Sequence, residues 1–192
     1  SPTLREHRVP KDQVFDRLHW KLGADGIGSE CSAYVVSLAA ATDTQYGRRF
    51  EALVEEADLV IHESPFTLPY DRSLGADRKP RIYNAYNVEH RLAAQILRGA
   101  PGAKAVQFIR FLAKFLVDAS SLIFATCAEE RDIFVSDFGA DPKKIALAPN
   151  GFEPTVADKE AAVSRGDGIV DVRPYAVFMG SAHPPNVEAA LY

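Results

Sequence analysis

Apolar residues along this chain gather in short continuous runs. Residues 57–63 (ADLVIHE), 80–84 (PRIYN), 121–126 (SLIFAT) and 175–180 (YAVFMG) each mix β-branched or aromatic residues with flanking turn formers. A shorter run, 144–148 (KIALA), stops at Pro149-Asn150-Gly151. Continuous runs, as opposed to alternating ones, predict strands covered on both faces of a parallel sheet. Helical spacing fills the gaps. Residues 42–56 open on a capping box, Thr42-Asp43-Thr44-Gln45, and place Phe50, Leu53, Val54 and Ala57 on one face. Residues 88–98 form a second helical stretch, stopped by Gly99-Ala100-Pro101-Gly102, and residues 104–119 a third. A second capping box, Thr126-Cys127-Ala128-Glu129, opens a helix expected to end near Gly139, with Pro142 beyond. Residues 186–192 read as the opening turns of another helix.

Strands alternating with helices imply right-handed βαβ crossovers, hence an α/β fold with a Rossmann-like parallel sheet and helices on both faces. Ligands of such sheets sit at the carboxyl ends of the strands. Residues 152–174 are polar, charged and punctuated by Pro154, Gly166, Gly168 and Pro174, which marks an interdomain linker. Residues 1–151 then form one partial domain, and 175–192 begin a second. Residues 1–56 contribute a charged segment and one helix.

Composition narrows the class. The chain has 192 residues, 47% hydrophobic and 25% charged, as a globular core requires. A net charge of −4 argues against a dedicated nucleic-acid binder. The two cysteines, Cys31 and Cys127, make neither a disulfide framework nor a metal cluster, and point to a reducing, cytoplasmic setting. No apolar run approaches the roughly 18 residues that span a bilayer. The chain opens on Ser1, not Met, so its natural start is expected upstream.

The strand ends supply the candidate chemistry. Tyr86-Asn87-Val88-Glu89-His90 joins a strand end to a helix start, where Asn, Glu and His can meet an anion or a sugar hydroxyl and His90 can move a proton. The plainer reading is local: Asn87 caps the helix and Glu89 complements its positive end. His62-Glu63 follows the first strand, either facing a cleft or forming a satisfied hydrogen-bonded pair at the sheet edge. Glu129 and Glu130 lie at a third strand-to-helix switch, where the capping box accounts fully for Thr126 and Glu129. Asn150-Gly151 marks a tight turn, and Gly180-Ser181 a small-residue loop able to approach a phosphate. The helix at 104–119 is apolar nearly all round, with a stripe of Lys104, Gln107, Arg110, Lys114 and Asp118. It reads as packed against the sheet or a partner, with peripheral membrane contact as the alternative. No nucleophile–base triad, zinc site or aromatic–basic stripe for nucleic acid is visible.

Taken in order, these motifs resemble glycosyltransferase family four, which has the GT-B fold of two Rossmann-like domains. The likeness rests on Ile123–Arg131 (IFATCAEER), on KIALAPNG ending at Asn150-Gly151, and on VFMGS at Val177–Ser181 followed by Pro185-Asn186-Val187-Glu188-Ala189. It spans roughly residues 57–192. It implies metal-independent, retaining transfer of a sugar from a nucleotide diphosphate sugar to a glycan, lipid-linked or small-molecule acceptor, with no cofactor. By the same resemblance Asn87 and His90 are the catalytic candidates. His62, Glu63, Glu89 and Glu129 fall on the acceptor side of the cleft, and Asn150, Gly151, Gly180 and Ser181 on the donor side. The family's glycine-rich loop after the first strand has no counterpart here. Its basic pair and paired glutamates would fall after Tyr192, so the chain reads as a fragment, inactive by itself. A cytoplasmic protein is expected, with residues 104–119 the segment for any peripheral contact with the inner membrane face. A nucleotide-sugar epimerase of the same architecture and a non-catalytic partner-binding module are the competing readings.

Overall fold

In the computed structural model the chain divides into two units, Ser1–Asn150 and Gly151–Tyr192. The structure describes residues 5–28 and 30–151. The expected linker 152–174, the strand 175–180 with Gly180 and Ser181, and the helix start 186–192 lie outside the described residues.

The first unit is an α/β fold, Rossmann-like in general character, on a sheet of four parallel strands. These are β1 (Val60–His62), β2 (Arg81–Asn84), β3 (Leu122–Ala125) and β4 (Ile145–Leu147), paired in the order β1-β2-β3-β4. Each lies inside its expected run. The registers Ile61↔Ile82, Tyr83↔Ile123 and Phe124↔Ala146 put Val60, His62, Arg81, Tyr83, Ile123 and Ala125 on one face, all buried. The other face carries Ile61, Ile82, Asn84, Leu122 and Phe124, and there Ile61 is 55% exposed. Sequence patterning predicts cover on both faces; among the described residues the second face is covered only in part. The reason is topological. Consecutive strands joined by right-handed crossovers send their connections to one side of the sheet.

That side holds the core. Helices α4 (Glu89–Ile96) and α5 (Gly99–Ala119) connect β2 to β3, and α6 (Ala128–Phe138) connects β3 to β4. Leu112, Leu116 and Val117 of α5 and Phe134 and Phe138 of α6 pack on Tyr83, Ile123 and Ala125. Each fully buried side chain of this size contributes about 1.5–3 kcal/mol. The edge-on contact of Tyr83 with Phe134, centroids 5.7 Å apart, joins strand to helix.

Helix ends differ from expectation in instructive ways. In α3 (Gln45–Glu56) the cap is Thr44, whose hydroxyl accepts from Gly47 N–H at 2.9 Å. Thr42, two residues earlier, donates to the Ala39 carbonyl and closes the preceding helix instead. Asp12, far away in sequence, accepts the Gln45 N–H at 2.8 Å, so two orphan donors of α3 are satisfied from different directions. Lys79 donates to the Val54 and Glu55 carbonyls at the other end of α3. The α6 box is displaced by one residue, because Thr126 pairs with Glu130, not with Glu129. Gly139, at φ +68°, ends α6 as expected.

Two helices escaped the pattern: α1 (Gln13–Ala24) and α2 (Ser32–Ala39). Neither has a side-chain cap, and α2 has only eight residues. Tertiary packing holds them, since Phe15, Ile27, Cys31, Val35 and Ala39 bury a cluster against Ala105 of α5. The stretch 99–102, expected to break the chain, is instead the first turn of α5. Pro101 is tolerated there because first-turn N–H groups have no helical partner. Gly102 allows the close approach of two helices: a Cβ there would sit 2.8 Å from the Leu97 carbonyl carbon.

Gly102→Ala is therefore expected to lower stability by about 1–3 kcal/mol. Gly23→Ala, in α1 with nothing within 4 Å of the added carbon, is expected to raise it by about 0.5–1 kcal/mol. Urea midpoints of the two variants check both signs.

Candidate functional site

The carboxyl ends of β2 and β3 open side by side. Ala85 N–H still donates to the Phe124 carbonyl at 3.0 Å, so the two strands stay paired to their last residues. Beyond them the chain turns into α4 and α6, and the two helices begin above the same sheet edge.

Four polar groups meet there. Thr126 donates to Glu130 through its amide at 3.2 Å and its hydroxyl at 2.5 Å, which fixes that carboxylate over the first turn of α6. Glu89, the first residue of α4, is half-buried. Burial raises its pKa, the Glu130 charge adds to this, and a hydrogen bond with Asn87 opposes it. Tyr83 is buried beneath, and burial together with the charges of Glu89 and Glu130 pushes its phenol up, so it stays protonated. Asn87 itself is exposed. The edge thus presents an amide and two carboxylates above a buried, neutral phenol.

Glu89 also lines a shallow groove between α2, α4 and α5, together with Glu30, Tyr34, Phe66, Leu92 and Ile109. A larger, mostly apolar depression lies over Phe15, Val35 and Tyr46.

The other sequence candidates lie apart from this cluster. His90, the second residue of α4, is buried against the far end of α6. Its Nε2 is 3.3 Å from Asp137, and its ring meets Phe138 edge-on at 5.1 Å. Burial lowers its pKa, against the pull of Asp137, so it is neutral at pH 7. Its Nδ1 has no partner. Glu129 is exposed, and hydrogen bonds from its own amide and from Cys127 lower its pKa. Glu63, Asn150 and Gly151 are exposed, and Gly180 and Ser181 lie outside the described residues.

His62 is buried in a charge network that the sequence reading did not foresee. Its Nε2 lies 3.0 Å from Asp71. Arg81 grips the same carboxylate through Nε and Nη2, both at 2.9 Å, and reaches Asp77 at 2.6 Å, the Lys79 carbonyl and Ser73. The Arg81 and Asp71 side chains are 1% and 0% exposed. Burial alone would raise the Asp71 pKa; the hydrogen bonds from His62, Arg81 and Ser73 outweigh it and hold the carboxyl well below its usual range. The available signal was an arginine inside an apolar strand with Asp71 and Asp77 just upstream. Glu130 stood beside Glu129 at the third strand-to-helix switch, and Tyr83 at the end of a strand run.

Among the described residues no group of His, Cys, Asp and Glu is arranged to hold a metal ion, and no helix is long and apolar enough to cross a membrane.

Asp71→Asn removes the carboxylate from a buried guanidinium and is expected to cost about 3–5 kcal/mol. The folded pKa of Asp71 lies below its unfolded value, so its stabilisation is complete above about pH 4 and is lost as pH falls further. Urea melts at pH 7 and at successively lower pH check both, because the gap between parent and variant must close on the acid side. No family model, curated protein or solved structure matches the chain.

Proposed function

We propose that this chain is the acceptor-side part of a glycosyltransferase that moves a sugar from a nucleotide diphosphate sugar to a hydroxyl acceptor, without metal and with retained configuration. The observation that supports the reading best is the cluster of Asn87, Glu89, Glu130 and Tyr83 over the carboxyl ends of two parallel strands. Sugar hydroxyls donate and accept at neighbouring positions. Paired carboxylates with an adjacent amide match that pattern, and a half-buried carboxylate binds a hydroxyl more firmly than a solvated one. The resemblance of IFATCAEER and KIALAPNG to family-four glycosyltransferases supports the same class, with GT-B architecture.

In this reading Asn87 and Glu89 face the acceptor, and Glu89 accepts the hydrogen bond of the attacking hydroxyl. Its raised pKa makes it a stronger base than a solvated glutamate. Glu130 fixes the neighbouring hydroxyl. His90 acts from behind, holding α4 on α6 through Asp137. Asn150 and Gly151 lead toward the donor side, where the resemblance puts Gly180 and Ser181.

Titration of the isotope-labelled chain with a panel of mono- and disaccharides is expected to shift the amide signals of Asn87, Glu89 and Glu130. Glu89→Gln is expected to weaken that binding about ten-fold, or about 1.4 kcal/mol. The same variant should be more stable than the parent at pH 7. A carboxyl whose folded pKa is raised destabilises the fold as it ionises, so the variant's advantage grows as pH rises from 4 to 7. Shifts confined to other parts of the chain would count against the assignment.

A further inference from the structure

The outward face of α5 carries a feature that sugar transfer does not use. Phe111 and Phe115 are 63% and 48% exposed, and their rings stack on one another with centroids 6.4 Å apart. They stand one turn apart, while Leu112, Ala113, Leu116 and Val117 turn inward to the core. The residues around the pair are mostly basic. Lys104, Arg110 and Lys114 share the exposed side of α5, and Phe115 lines a surface depression with Arg78 and Lys79 of the loop before β2. The acidic neighbours are mostly engaged. Asp118 pairs with Lys114, Asp77 is held by Arg81, and Asp137 by Arg91 and His90. The face is therefore basic on a chain whose net charge is −4.

We propose that this face docks on an anionic lipid bilayer. Phe111 and Phe115 enter the boundary between headgroups and acyl chains, and Lys104, Arg110 and Arg78 pair with lipid phosphates. The argument is charge complementarity combined with geometry. A helix lying flat with two adjacent aromatics flanked by cations is how interfacial helices bind, through apolar burial plus attraction to negative headgroups. A second copy fits less well, because two-fold packing would set two basic faces against each other. The proposal rests on this face alone and stands independently of the glycosyltransferase reading.

The test is co-sedimentation of the full 192-residue chain with vesicles of phosphatidylcholine alone and of phosphatidylcholine mixed with phosphatidylglycerol. Binding is expected to the mixed vesicles only, and to weaken with added salt. Phe111→Ser with Phe115→Ser is expected to reduce it about ten-fold or more, with circular dichroism confirming that the variant folds. Lys104→Glu with Arg110→Glu, both solvent-facing, gives a second variant expected to lose the preference for the anionic lipid while leaving the aromatic pair in place. Equal binding to both vesicle types, or binding untouched by either variant, would overturn the proposal. So would a concentration-dependent dimer that the Phe variant abolishes, or preferential capture of single-stranded RNA by the same residues.

Discussion

The buried bidentate contact between Arg81 and Asp71 is the interaction on which the sheet edge depends. A guanidinium 1% exposed in the middle of a parallel sheet needs near-complete compensation, and this one has two carboxylates, a hydroxyl and a carbonyl. The bonds run from β2 back to the loop after the 3-10 turn Pro65–Tyr70, while His62 brings β1 to the same carboxylate. One ion cluster thus fixes the relative position of two neighbouring strands and of the long connection between them. Such a cluster specifies an arrangement more than it adds net stability, since desolvation consumes most of the attraction.

With the amino end of β2 anchored in this way, its carboxyl end is free to carry chemistry. Arg81 and Tyr83 point to the same face two residues apart, so one short strand holds the structural charge at one end and the phenol beneath Glu89 and Glu130 at the other. Glu130 is fixed by Thr126, whereas Glu89 keeps a hydrogen bond with exposed Asn87 and a raised proton affinity. A carboxylate held at an energetic disadvantage beside a groove is what a binding or proton-moving role requires, and helix capping alone does not need it.

Much of this was legible beforehand, for identifiable reasons. Strand runs such as SLIFAT and KIALA are apolar enough to be strands in any buried sheet, and all four described strands fall within them. Gly139 and Pro142 marked the end of α6 because positive φ and a missing N–H have few other uses. What sequence did not reveal depended on partners distant along the chain. Asp12 bonds the first residue of α3, and α1 and α2 are held by a cluster that includes Ala105. Gly99-Ala100-Pro101-Gly102 looks like a breaker until Leu97 is seen against Gly102. Of the site, Asn87 and Glu89 were named and do come together. A one-residue ambiguity decided which glutamate answers Thr126; His62 drew attention inside an apolar run and His90 at a helix start, and both are buried against an aspartate.

The claim that joins these parts is that the edge of β2 and β3 handles the acceptor in sugar transfer. Its most direct test is a transfer assay on the gene's full-length product, supplied with uridine, guanosine and adenosine diphosphate sugars and a glycan acceptor mixture, with release of nucleoside diphosphate as the readout. The account predicts release that requires acceptor and falls about a hundred-fold or more in Glu89→Gln, with the fold intact. Release that Glu89→Gln leaves unchanged, or no release with any donor, would contradict it.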